Sequence, residues 1–408
     1  MSEGSNELNG CQHVDRVFFR GKALTEFTNS ECSRFFQQTD SVQGVRQTTI
    51  ASGVLDPSFQ ARILFAPNIL REYAVLLAKR YNACSRPMWK LKSKSQGCLR
   101  VFIMKPITPE NDRLGFVGIG YMGRPIARRL LESGFRLTAY DRNPSKAEEL
   151  IQYGSAVARS VSELSSRCNV VLSCLPSDEA VLDIYRGPGG ALAHARRDSL
   201  VIDMSTVYPE TSEELSRLGS ERGVEVLDVT ISGSTPAAEK GLLTLFGGGD
   251  KECFDSAESI FRTLARKYFY LGPSGSGATM KLVVNTLLGI GMQAIAEAVA
   301  LGEKAGLDRN RLLNVLSETA VVAPAHVGKL ESAMRSDYNP QFPLRLMNKD
   351  FGLILNLAAA VGARMPATGA AFEVNARQSD EGAEQDFSAV ILQMEKQGHL
   401  GSFAKGRT

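Results

Sequence analysis

The sequence predicts an α/β chain: a doubly wound, mainly parallel sheet followed by an all-α C-terminal domain. Three observations predict it. From Arg113 onward short apolar runs alternate with amphipathic stretches, one early run leads into a glycine-spaced turn, and after Gly277 strand-like segments stop while helical periods continue. Strand–helix–strand alternation implies right-handed crossovers and a parallel sheet with helices on both faces.

The strand candidates come in order as LGFVGIG from Leu114, RLTAYD from Arg136, NVVLSCL from Asn169, SLVIDMS from Ser199, VEVLDVTI from Val224, LLTLFGGG from Leu242 and KYFYLG from Lys267. Helices are expected between most of them, including Gly123–Ser133, Ser145–Tyr153 and Pro209–Arg222. Beyond the last strand, the spacing predicts a long helix over 278–306, then helices at Arg309–Glu318, Leu344–Val361 and Thr368–Gln378. The expected domains are therefore 113–276, an α/β unit, and 277–400, an all-helical unit, with a short tail at 401–408. A cleft between two such halves is where small ligands usually bind.

Residues 1–110 show no sustained period apart from an amphipathic stretch at Asn68–Tyr81. They hold the basic charge. Residues 1–109 contain 15 Lys plus Arg against 8 Asp plus Glu (+7), leaving 32 against 36 (−4) for the rest of the net +3. The expectation is a weakly ordered basic extension. Its Lys- and Arg-rich part has few aromatic residues and no nucleic-acid motif, so no nucleic-acid partner is expected.

Over the whole chain of 408 residues, 43% hydrophobic and 22% charged content fit an ordinary folded protein. Seven scattered cysteines form no C-x-x-C pair, which fits free thiols in a reducing compartment. The four histidines show no zinc spacing, so no metal is expected. The most apolar stretch, Leu282–Gly302, is broken by Asn285, Gln293 and Glu297 and reads as a buried helix, not a membrane span. Glu3 and Glu7 spoil an import signal, and the default location is the cytoplasm, with mitochondrion or plastid as the alternative if the extension has a targeting role.

The first apolar strand runs into Gly118-Ile119-Gly120-Tyr121-Met122-Gly123, a G-x-G-x-x-G pattern that opens a helix and has Asp141 at the end of the next strand. By itself the pattern is weak; its context makes it a Rossmann-type dinucleotide fingerprint. Gly118 permits the tight turn, Gly120 lets the backbone approach a pyrophosphate, and Gly123 lets helix and strand pack closely. The phosphates then rest on free amides at the positive end of the helix. Asp141 can accept from a ribose 2′-OH, which favours NAD, whereas the neighbouring Arg142 can pair with the extra phosphate of NADP. NAD or NADP is the expected cofactor, with the balance toward NAD. Leu175-Pro176 and Ser205-Thr206 close two later strands and line the same crevice.

Taken with three further motifs, these residues resemble the β-hydroxyacid dehydrogenase family, which includes 3-hydroxyisobutyrate dehydrogenase, tartronate semialdehyde reductase and glyoxylate/succinic semialdehyde reductase. The stretch Asp228-Val229-Thr230-Ile231-Ser232-Gly233-Ser234 is similar to a substrate loop usually written D-x-P-V-S-G-G. Gly275 to Asn285 matches G-x-G-x-x-x-K-x-x-x-N, and Phe342-Pro343-Leu344 with Lys349-Asp350 resembles F-x-L…K-D. The resemblance covers about 113–398. It implies Lys281 as the catalytic residue and Ser232, Gly233 and Asn285 as substrate-binding. Lys349, Thr206, Leu175 and Pro176 would reach the cofactor, and the assembly would be a homo-dimer or homo-tetramer. Thr230 replaces the usual proline and Ser234 the second glycine. The serine is closer to the glyoxylate/succinic semialdehyde reductase branch.

The residue types suit that chemistry. Moving a hydride to or from a carbonyl carbon also needs a proton exchanged at the oxygen, and a lysine does this when burial draws its pKa toward working pH. Lys281 sits near a helix start, where the dipole disfavours its charge. Asn285, four residues on, shares its face. Ser232-Gly233 can donate to a carboxylate, so the expected substrate is a small carboxylate-bearing hydroxy acid or aldehyde. A binding-only protein with the same fold is the alternative expectation.

Overall fold

A computed structural model describes residues 88–92, 98–102, 105–377 and 380–397. The chain divides into two compact units, Met1–Met104 and Lys105–Thr408. In the first, strands β1 (Met88–Lys92) and β2 (Cys98–Phe102) pair antiparallel, with Leu91 opposite Leu99. Sequence reading assigned no strand to this basic stretch. The helix expected at Asn68–Tyr81 lies outside the described residues.

The second unit is built on an eight-stranded sheet: β3 (Arg113–Val117), β4 (Arg136–Tyr140), β5 (Ala156–Val157), β6 (Val170–Ser173), β7 (Leu200–Asp203), β8 (Glu225–Ser232), β9 (Leu243–Gly248) and β10 (Ala265–Gly272). Their spatial order is β10-β9-β8-β7-β6-β3-β4-β5. Every pair is parallel except β8 with β9. The exception follows from chain length. Only residues 233–242 separate β8 from β9, fewer than the dozen or so that a crossover to a parallel neighbour requires. The doubly wound α/β sheet of the sequence reading is thus present, with its last two strands reversed. Two-residue β5 at the edge is too short to show a period and was not expected.

The chain leaves β3 toward one edge through β4 and β5, then returns to β6 on the other side of β3. Ligands of open α/β sheets bind at such a reversal, beyond the strand C-termini. Helix α1 (Gly123–Glu132) buries Ile126, Ala127 and Leu130 beneath this point and leaves Arg124 and Arg128 outward. On the other face, Val161 and Leu164 of α2 (Val161–Arg167), Val181 of α3 (Asp178–Tyr185) and Leu215 of α4 (Pro209–Arg222) join Val117, Val171 and Val201 in one core.

After β10 the chain is helical: α5 (Ser276–Lys304), α6 (Arg309–Ser317), α7 (Pro324–Met334), α8 (Leu344–Val361), α9 (Pro366–Ala376) and α10 (Val390–Gln397). Leu282, Met292, Ala296 and Val299 of α5 pack with Leu313, Leu330, Leu344, Met347 and Phe351 in a second core. Gly289 lets α8 pack closely on α5, since a Cβ there would stand 2.4 Å from the Phe351 ring. Sequence reading named neither α10 nor α7. The buried positions of α7, His326, Leu330 and Ala333, have helical spacing, but a histidine and an alanine carry little apolar signal.

Candidate functional site

The glycine turn has the construction that its pattern predicts. Gly118 sits at φ +90°, and a Cβ on it would meet the Cys174 carbonyl oxygen at 2.4 Å. A Cβ on Gly123 would lie 1.9 Å from the Gly118 oxygen, so α1 can pack there only because the residue is glycine. Gly120 is the opposite case: a Cβ would meet nothing within 4 Å, leaving open space where a pyrophosphate would pass. No side chain caps the α1 start at Met122; the Arg124 amide donates to the Gly120 carbonyl at 3.1 Å and Pro125 has no N–H, so in the first turn it is the Gly123 amide that remains for an anion. These features fit a dinucleotide.

Asp141, just past β4, accepts from the Ile119 amide at 2.8 Å and from the Asn143 amide at 2.9 Å through different oxygens. Each oxygen keeps a lone pair for a ribose hydroxyl. Buried Ile119 and exposed Tyr121 complete the loop, and exposed Arg142 follows the carboxylate. Met122 is tied to the segment after β8 by the Thr235 hydroxyl, 3.9 Å from its Sδ.

A buried polar chain holds the neighbouring strand ends. The Tyr185 hydroxyl donates to Ser173 Oγ at 2.8 Å, and the Ser173 and Ser205 hydroxyls each donate to Asp203 Oδ1 at 2.6 Å. Ser205 Oγ then accepts the Leu175 amide at 2.8 Å. Burial pushes the Asp203 carboxyl above the usual range, against the pull of these hydroxyls. Sequence reading placed Leu175, Pro176 and Thr206 at this crevice but missed Asp203, whose only trace is an acid at the end of an apolar strand.

Lys281 stands on α5 over this floor. Its side chain is half-buried, and among the described residues no hydrogen bond or ion pair engages its amine. Burial pulls the ammonium down to about 8; Lys349 lowers it further, while Asp350 and the Cys174 side chain act the other way. Cys174, whose thiol burial pushes up to about 12, is the residue whose carbonyl touches Gly118. The lysine amine thus lies within electrostatic reach of Cys174, at the strand end that adjoins the glycine turn.

Asn285, 1% exposed, donates from Nδ2 to Asp350 Oδ2 at 2.5 Å, and its Oδ1 is buried without a partner. Lys349 pairs with Asp350 at 3.0 Å and donates to the Thr206 carbonyl, joining α8 to the end of β7. Asp350 is thus the hub of the group: one carboxylate between an asparagine and two lysines. The sequence shows Asp350 beside Lys349 in the K-D motif but gives it no role, because its partner Asn285 lies 65 residues away.

Ser232 ends β8 and Gly233 follows it. Gly233 lies at φ +139°, with Leu243 filling the space of any Cβ at 2.8 Å. Four residues earlier, buried Asp228 caps the start of α5, accepting from Gly275 N at 3.0 Å and Ala278 N at 2.9 Å. Desolvation lifts its carboxyl to about 6 despite those bonds. The glycines of the lysine motif serve this junction: Gly275 takes φ +89°, and a Cβ on Gly277 would meet the Asp228 carbonyl at 2.4 Å. The structure so gathers Lys281, Asn285, Lys349, Thr206, Leu175 and Gly118 at one strand-end crevice. Ser232 and Gly233 join through β8, and Arg142 stays outside at the surface.

Residues 113–272 match the family described as the NAD binding domain of 6-phosphogluconate dehydrogenase, and residues 275–394 match that described as the NAD-binding of NADP-dependent 3-hydroxyisobutyrate dehydrogenase. Glyoxylate/succinic semialdehyde reductase 1 of Arabidopsis thaliana is 36% identical over 279 residues, 68% of this chain and 96% of the relative. The NAD-dependent L-serine dehydrogenase of Pseudomonas aeruginosa is 34% identical over 286 residues, again 68% of this chain and 96% of the relative. The solved 3-hydroxyisobutyrate dehydrogenase of Mycobacterium tuberculosis with L-serine is 32% identical, covers 69% of this chain and 99% of its own, and has a TM-score of 0.61. With the glycine turn, the lysine helix and these relatives together, the chain belongs to the β-hydroxyacid dehydrogenase family and is an NAD(P)-dependent hydroxyacid dehydrogenase.

Proposed function

We propose that the protein interconverts a small β- or ω-hydroxy acid and its semialdehyde, with Lys281 exchanging the proton at the reacting oxygen. The observation that carries this reading is the Lys281 amine, drawn down to about 8 by burial and within electrostatic reach of Asp350, Lys349 and Cys174, the last at the strand end beside Gly118. Near that pKa the amine is available in both protonation states close to neutral pH, as a general acid–base must be. The cofactor, when bound, supplies or takes up the hydride.

The chain's own residues do the rest. The Ser232 hydroxyl and the Gly233 amide hold the substrate carboxylate. Asn285 is fixed by Asp350, which occupies one amide hydrogen and leaves the other for the substrate oxygen. Its buried Oδ1 gains a donor when the site fills, from the substrate alcohol or the Lys281 ammonium. Lys349 and Thr206, bonded to each other, close the side of the crevice toward the cofactor. Asp141 favours NAD over NADP, because its carboxylate repels a 2′-phosphate.

The test is a spectrophotometric screen of glyoxylate, succinic semialdehyde, tartronate semialdehyde, 3-hydroxyisobutyrate and L-serine with both cofactors. Lys281→Ala should lower kcat by about 10³-fold on any active substrate while cofactor affinity survives. Near-normal turnover in that variant would remove the proton-transfer role. Equal kcat/KM with both cofactors would remove the preference for NAD.

A further inference from the structure

Strand β8 grips the start of α5 at two points, and one falls where this chain departs from the D-x-P-V-S-G-G pattern. Thr230 is 1% exposed, and its hydroxyl donates to the Gly277 carbonyl at 2.8 Å, with the Phe246 carbonyl of β9 at 3.5 Å. In an α-helix the carbonyl of residue 277 accepts the amide of the residue four further on, which is Lys281. A carbonyl has two lone pairs, so the Thr230 hydroxyl sits on the same oxygen that seats the lysine backbone. A proline at this position has no group to donate.

Asp228 supplies the second grip through Gly275 and Ala278. It lies two residues from Thr230, on the same strand face, and Ser232 lies two residues beyond, about 7 Å along the strand. One strand thus holds both the lysine helix and the loop assigned to substrate.

We infer that Thr230 is a positioning residue: with Asp228 it fixes the spacing between Lys281 and the Ser232–Gly233 loop. The inference rests on the proposed proton-transfer role of Lys281. The reacting oxygen must lie within hydrogen-bond reach of the amine while the carboxylate stays on the loop, and a small displacement of either is costly in rate. Thr230 carries no charge. The charged and titratable groups facing Lys281 are Asp350 and Lys349 of α8 and Cys174 past β6, and a Thr230 substitution leaves all of them in place.

The experiment compares Thr230→Val, which keeps the shape but not the donor, with Thr230→Ser, which keeps the donor. Two readouts are taken on the full chain: steady-state kinetics, and pH-dependent acetylation of Lys281 followed by peptide mass. Thr230→Val should lose about tenfold in kcat with cofactor Kd unchanged. Its Lys281 acetylation midpoint should rise from near 8 toward that of an exposed lysine. Thr230→Ser should match the parent protein in both. An unmoved midpoint in Thr230→Val, or equal losses in both variants, would overturn the inference. Should the parent protein turn over none of the substrates, the proposed function fails, and the acetylation midpoint still decides the role of Thr230.

Discussion

The glycine turn and the lysine pocket face the same crevice and are made by different physics. The turn is defined by missing atoms: three glycines whose absent side chains allow a bend, a helix contact and an open path. The pocket is defined by charges that had to be taken out of water. Asp350, Lys349, Lys281 and Asn285 come from two helices, α5 and α8, which also pack closely at Gly289. A binding surface made of backbone costs the fold little. A proton-transfer group made of a desolvated amine costs it directly.

The largest test separates the roles within the turn. Gly123→Ala places a Cβ at 1.9 Å from the Gly118 oxygen and should destabilise the protein by about 3 kcal/mol, read as a drop in Tm. Gly120→Ala meets open space, so Tm should hold while cofactor Kd rises about a hundredfold, read by fluorescence titration. If Gly120→Ala unfolded the protein, the contrast between a structural and a ligand-facing glycine would collapse.

Next in size is the cost of the pocket. The Lys281 amine is at about 8 when folded, against its ordinary 10.5. Between those values the unfolded chain binds more protons, so stability rises with pH across that window. Below it, the buried ammonium is a burden. Lys281→Met should therefore stabilise the protein at pH 7 by about 1–3 kcal/mol, with the gain shrinking as pH climbs through 8 toward 10.5, as measured by urea unfolding. A Met variant less stable at every pH would show that the amine is not strained.

The smallest effect concerns the partners of the amine. In the oxidation direction activity should rise with pH through about 8, as Lys281 loses its proton, and in reduction it should fall over the same range. Lys349→Met removes a nearby positive charge and should move that limb up by about half a pH unit. Asp350→Asn removes a negative charge and should move it down by a similar amount. Shifts of the same sign in both variants would break the electrostatic account of the pocket.

Much of the fold was legible because its signals are local. Short continuous apolar runs, amphipathic stretches and glycine spacing each lie within a few residues, so seven sheet strands and the long helix could be read directly. What escaped had a weak or absent local signal: two-residue β5, α7 with its buried histidine, and the hairpin in the basic stretch. The reversed direction of β9 and β10 was implicit in the short link after β8.

The candidate site divides along the same line. By itself the sequence determined where a dinucleotide would lie, because Gly118, Gly120, Gly123 and Asp141 are specified by steric rules acting within a single strand–turn–helix unit. It also marked Lys281 through a motif. Only the tertiary structure decided that Asp350 holds Asn285, that Asp203 anchors the Leu175 turn and that Thr230 reaches the carbonyl below Lys281. Those are contacts between charged or polar groups far apart along the chain. Their strength depends on distance and burial, which one-dimensional order does not encode.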